Sequence, residues 1–193
     1  MRLLKRARGE QGYTMVEMIT VMLIMAIVMT GITTVFVQGS NAELSMNSRF
    51  QAQTNARLGL DKIRKDIHCA SAVTAQSATS VTFTDPCISV SASNLTWCTA
   101  TVSGNIGLYR QLGSTCSSSS PAIRWIDRLT TTSIFTYQAP FTGTLALVYV
   151  KLPVNTTTAR NLSKTSDAYT LCDGIVLRNS ARNGSGSYVS SPC

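Results

Sequence analysis

Residues Met18–Val37 (MITVMLIMAIVMTGITTVFV) run for 20 positions without a charged side chain. As a helix rising 1.5 Å per residue, such a run covers about 30 Å, the hydrocarbon thickness of a bilayer. Its flanks give it a direction. The start, MRLLKRARGEQG, holds Arg2, Lys5, Arg6 and Arg8 against Glu10, and no basic residue follows until Arg49. That asymmetry keeps the N-terminus in the cytoplasm and places the body outside. A plain span leaves one residue unexplained. Glu17 stands at the entrance of the run, and an acidic group entering hydrocarbon is costly unless it has a partner.

The rest of the chain has to be read with that export in mind. The formal net charge of +8 invites a nucleic-acid reading. Three of those charges sit in residues 1–12, however, and the remaining 13 basic and 8 acidic residues form no dense basic run. A surplus of five spread over the body reads as a solvated surface, compatible with DNA but not calling for it. The six cysteines, 69, 87, 98, 116, 172 and 193, all follow the apolar run and form no CxxC pair. His68 beside Cys69 does not make a zinc site, and no metal or cofactor is expected. An even number of cysteines in an exported body reads as disulfides. The pairs expected are Cys172–Cys193, which would fasten the tail, Cys87–Cys98 and Cys69–Cys116.

No proline occurs before Pro86, so a helix opening near Thr14 can run on to about Ile67. Gly31, Gly39 and Gly59 weaken it without ending it. Beyond the span, Ala56, Leu60, Ile63, Ile67 and Ala70 recur at steps of four and three. They form one apolar stripe, with Arg57, Asp61, Lys62, Arg64 and Lys65 on the other faces. After Ala70 the period changes. Segments 81–85, 94–102, 105–112, 122–129, 133–138, 145–152 and 174–179 are β-branched or aromatic, and turn residues separate them. Leu145–Leu152 is the strongest and is expected at the centre. Trp97, Trp125, Tyr109 and Tyr149 are expected to pack rather than to bind. The runs 117–120 and 155–158 read as loops, as do the sequons at Asn94, Asn155, Asn161 and Asn183. The fold class is α+β, with a long N-terminal helix on a C-terminal antiparallel sheet. Residues 1–12 form a basic leader, 13–70 the helix with its span at about 18–37, and 71–193 the β-rich domain.

Three accounts of the N-terminus compete. A secretory signal could end at Ser40-Asn41-Ala42 and release a chain from Glu43, but the apolar run exceeds the 7–15 residues such signals use. A single-span anchor explains the length and not Glu17. The third account starts from GYTMVEM, residues 12–18, which resembles the type IV prepilin motif. Gly12 matches the residue before the cut, Tyr13 the first mature residue (more often Phe), and Thr14 the next. Met15 and Val16 replace the usual aliphatic pair, Glu17 is the glutamate of mature position five, and Met18 stands for Leu. ARLGLDKIRKDIHCA (56–70) resembles the helix end of minor pilins and J-type pseudopilins. GIVLRN (174–179) is similar to a strand near the end of many such proteins.

The resemblance implies a structural subunit and not an enzyme. A prepilin peptidase would cut after Gly12 and methylate the new terminus at Tyr13, leaving the span attached. Glu17 would then pair with the Tyr13 amine of a neighbouring pilin or pseudopilin subunit at an inner-membrane assembly platform. Before assembly the partner of the span is lipid, with the N-terminus inside and the β-domain outside. The finished filament would be a type IV pilus or a type II secretion-like fibre, and a minor subunit is the expected role. The alternative is a pilus-associated protein whose β-domain binds DNA or a surface. Catalysis has no foothold, since no G-x-S-x-G, H-E-x-x-H or Walker loop occurs.

Overall fold

The computed structural model describes residues 12–84, 93–116, 122–156, 168–182 and 184–193. Its architecture is a long N-terminal helix followed by eight strands of one antiparallel sheet. The helix, α1, spans Met15–Cys69. The chain divides between Leu44 and Ser45 into two compact units, so the helix contributes to both.

In the second unit the outer part of α1 lies on the sheet. The strands are β1 (Ala72–Gln76), β2 (Ser80–Thr84), β3 (Asn94–Val102), β4 (Asn105–Leu112), β5 (Ile123–Leu129), β6 (Phe135–Gln138), β7 (Leu147–Asn155) and β8 (Ala168–Val176). They follow the order β1-β2-β3-β4-β5-β7-β6, with β8 on the other side of β7. The sheet curls, because Ala78 in the β1–β2 turn accepts hydrogen bonds from Ile134 N (2.9 Å) and Phe135 N (3.1 Å) at the entry to β6. The central position expected for Leu145–Leu152 falls to β7, which pairs with β5, β6 and β8.

The stripe on α1 fills this curl. Ala56, Ile63, Ile67 and Ala70 are wholly buried and Leu60 nearly so, against Val81, Phe83, Leu95, Trp97, Leu108 and Ile126. The period of three and four resolves into burial because it keeps the residues on one side of the helix. At Gly59 the helix backbone comes close to the sheet: a Cβ there would meet the end of the Ile126 side chain, which would have to shift to admit it.

The stripe also holds one charge. Asp66 is buried, and its Oδ2 accepts from Trp97 Nε1 (3.0 Å) on β3 and Arg110 Nε (2.8 Å) on β4. Lys62 Nζ lies 3.7 Å from the other oxygen and 5.9 Å from the Trp125 ring centroid. A buried carboxylate needs such donors, and here they come from two different strands. Asp66 therefore fixes both the rotation of the helix and its position along the sheet.

Several strand expectations are revised. β1, AVTAQ, is small and polar and lacks a strand's usual side chains; it forms by pairing with β2. β8 begins at Ala168, and only Gly174–Val176 of the expected 174–179 segment belong to it. β7 continues through Pro153 to Asn155. Lys151 N bonds Ile134 O. By strand alternation the proline nitrogen faces the same side, past the end of β6, where no ladder donor is needed. Asn94 and Asn155 end strands instead of occupying loops, and Asn155 is buried. The runs at 117–120 and 157–158, and the sequons at Asn161 and Asn183, lie outside the described residues. Trp97, Tyr109 and Tyr149 pack in the interior as expected, and Trp125 packs 6.3 Å from Trp97, centroid to centroid.

Candidate assembly site

Gly12 and Tyr13 precede the helix and are exposed. Thr14 caps it. Its carbonyl accepts from Glu17 N (3.0 Å) and Met18 N (3.2 Å), and its Oγ1 lies 3.3 Å from Glu17 N. A threonine followed three residues later by glutamate is the capping-box spacing, a second meaning for residues read above only as a motif. Glu17 thus lies in the first turn, where the positive end of the helix dipole favours a carboxylate by about 0.3–1 kcal/mol. Its side chain has no partner among the described residues of its own chain.

From Met15 to Leu44 no residue is buried. Met15, Val16, Met18, Ile19, Val21, Met22, Leu23 and Ile24 expose half or more of their surface, and the pattern continues to Val37. This is the one helix among the described residues with the length and composition to cross a membrane. The hydroxyls of its threonines are closed internally. Thr20 donates to Glu17 O, Thr30 to Ala26 O, Thr33 to Met29 O and Thr34 to Gly31 O, at 2.7–2.9 Å. A helix in hydrocarbon needs its polar groups satisfied within itself in this way.

At the far end of α1 the charged residues of 56–70 divide into two kinds. Arg64 spans Asp61 (2.9 Å) and Asp173 of β8 (2.7 Å), and the Asp173 hydrogen bond raises the guanidinium pKa above its ordinary value. This arginine is largely solvated, so the bridge contributes little to stability. Asp66 and Arg110 form the interior pair already described. His68 Nδ1 lies 3.1 Å from Val176 O, and Asn179 Nδ2 donates to Cys69 O. No group of three metal-ligating side chains forms among the described residues.

Cys172 is bonded to Cys193. The other pairings are corrected. Cys98 is bonded to Cys116, so neither Cys87–Cys98 nor Cys69–Cys116 forms. The reason lies in the β3–β4 hairpin. Thr96 and Cys98 share one face of β3, and Thr96 Oγ1 donates to Gly113 O just beyond β4. Gly113, at φ 108°, turns the chain back over that face, where Cys116 meets Cys98. Cys69 is disulfide-bonded too, and Cys87 lies outside the described residues. The tail is tied down as well as bridged, through Gly186 N to Pro140 O, Val189 N to Gln138 Oε1 and Lys151 Nζ to Pro192 O.

Residues 7–33 match the family model of the prokaryotic N-terminal methylation motif. The matched stretch includes Gly12, Tyr13 and Glu17 and ends within the apolar run. No curated protein and no solved structure matches the chain. The chain thus carries a prepilin-type motif on a long helix packed against an antiparallel sheet, a type IV pilin-like arrangement.

Proposed function

We propose that this chain is a minor pilin or pseudopilin, a structural subunit of a type IV pilus or a type II secretion-like filament. The match over residues 7–33 carries the reading. The site fits it physically. A cut after Gly12 removes the basic leader, leaves the span attached and creates a positive amine at Tyr13. That amine then stands four residues from Glu17, beside a helix end whose first turn has exposed apolar neighbours.

Glu17 makes the arrangement selective. Alone at the membrane, a carboxylate and an amine are each costly to bring into hydrocarbon, whereas paired they relieve one another. Glu17 of an incoming subunit would meet the Tyr13 amine of its neighbour, while the apolar faces of the two helices exchange lipid for each other. Capping by Thr14 holds the first turn in place and so fixes where Glu17 leaves the helix. The prepilin peptidase, the other subunits and the assembly platform are the partners this requires.

Mass spectrometry of the chain recovered from membranes of a producing cell tests the reading. The expected mature terminus is Tyr13, N-methylated. A terminus at Met1 or at Glu43 would overturn it in favour of a plain anchor or a cleaved signal.

A further inference from the structure

Residues 184–193 cross the face of the sheet that turns away from α1. Gly186 N donates to Pro140 O (3.1 Å) just past β6, and Val189 N to Gln138 Oε1 (3.1 Å) on β6. Pro192 O accepts from Lys151 Nζ (3.3 Å) on β7, and Cys193 is bonded to Cys172, the register partner of Lys151 on β8. Alternation fixes the face. Val148, Val150 and Leu152 share one core with α1, and Asp173 meets Arg64 of α1. Leu147, Tyr149, Lys151 and Cys172 therefore point the other way. Along β7, Leu147 stands beside Gln138 and Lys151 beside Cys172, with Tyr149 between them on the path of the crossing. Tyr149 is only 9% exposed although it lies on this outer face, and its ring rests against Gly174.

Little besides the disulfide holds this strap down. Among the described residues, three hydrogen bonds join its ten residues to the sheet. Gly184 and Gly186 lie directly on the backbone of Ala139 and Pro140, where a Cβ would find no room, so neither adds a side chain. Tyr188, the strap's aromatic residue, is 73% exposed. A Gly/Ser-rich segment is flexible when free, and fixing ten backbone residues costs more than three net hydrogen bonds return. The Cys172–Cys193 bond decides whether the strap stays in place. It is also open to attack, since Cys193 is exposed, whereas Cys98 of the Cys98–Cys116 bond is buried.

We propose that residues 184–193 form a strap over Tyr149 that reduction of Cys172–Cys193 releases. A dithiol reductant supplies two electrons and two protons to the S–S bond. Its own sulfurs close into a disulfide, and two cysteine thiols remain on the chain. The strap then lifts and leaves Leu147 and Tyr149 as an apolar strip at the surface, while α1 and the core on the opposite face stay packed. The inference rests on the sheet alone and is independent of the filament reading.

The test compares the full oxidised chain in detergent micelles with its Cys172→Ser/Cys193→Ser form. Hydrogen exchange read by mass spectrometry should speed up about tenfold or more in 184–193 and change less than about twofold in β3 and β4. Tyrosine nitration, mapped on peptides, should reach Tyr149 about fivefold faster or more in the serine form. Graded dithiothreitol with alkylation, applied to the unmutated chain, should open Cys172–Cys193 before Cys98–Cys116 and bring the same rise in Tyr149 nitration. A strap that stays protected, a Tyr149 that stays shielded, or protection lost throughout β3 and β4 would overturn the proposal. Reduction of Cys98–Cys116 ahead of Cys172–Cys193 would overturn it as well.

Discussion

Replacing Asp66 with alanine tests whether one buried carboxylate sets the seat of the helix on the sheet. Asp66 is 5% exposed, and its Oδ2 takes donors at 2.8 and 3.0 Å from Arg110 and Trp97. The Arg110 side chain is itself only 13% exposed. Lys62 adds little, at 3.7 Å and with a more exposed side chain. Removing the carboxylate leaves a nearly enclosed guanidinium and an indole N–H without an acceptor. Breaking such a pair from one side costs about 3–5 kcal/mol. That is a large share of the roughly 5–15 kcal/mol holding a typical domain together. Asp66→Asn keeps the shape and an acceptor oxygen and loses the charge, so a smaller loss of about 1.5–3 kcal/mol follows. Urea unfolding of the oxidised chain in micelles, followed by tryptophan fluorescence, measures both. Adding Arg110→Met to the Asp66→Ala chain should recover part of the loss, because the stranded charge is gone. An Asp66→Ala loss below about 1 kcal/mol, or strict additivity with Arg110→Met, would refute the reasoning.

Three further outcomes follow from other parts of the molecule. Gly59→Ala gains up to about 1 kcal/mol of helix propensity but drives a methyl into Ile126, so a net loss of about 1–2 kcal/mol is expected. Ile126→Val in the same chain should reduce that loss in the urea assay. Glu17→Ala is expected to leave the chain in the membrane and cut at Gly12 while lowering its recovery in sheared filaments by about tenfold or more; normal recovery would remove Glu17 from docking. Tyr137 should ionise above the ordinary tyrosine range, because burial disfavours its phenolate. Its folded pKa is raised, so its contribution to stability is full below the unfolded value near 10 and is lost as pH rises through the folded one. Phenolate absorbance across an alkaline titration should show a late step that Tyr137→Phe removes.

What could be read from the sequence depended on whether one element or several defined a feature. The apolar stripe is a property of α1 alone, and Ala56, Leu60, Ile63, Ile67 and Ala70 all become buried. Asp66 stands in the charged string DKIRKD, which reads as a solvated face. Yet it falls three residues after Ile63 and seven after Gly59, on the same stripe, and that phase was the available signal. β1 had no comparable mark, since its residues are small and its identity as a strand comes from β2. The Cys98–Cys116 bond depended on the direction the chain takes after Gly113, which cysteine spacing does not encode. At the N-terminus the motif and the span were local and legible, and so was the Thr14 cap once the Thr-x-x-Glu spacing is read as helix chemistry.

The threonines of the apolar run have a consequence for how that run meets its surroundings. Thr20, Thr30, Thr33 and Thr34 each turn the hydroxyl back onto a carbonyl of the preceding turn. What they offer outward is largely a methyl group. A transfer scale charges each threonine for hydration it would give up, but here the hydroxyl is already engaged within the helix. Four residues that look like polar interruptions in the text of the sequence therefore behave, at the surface, more like valines.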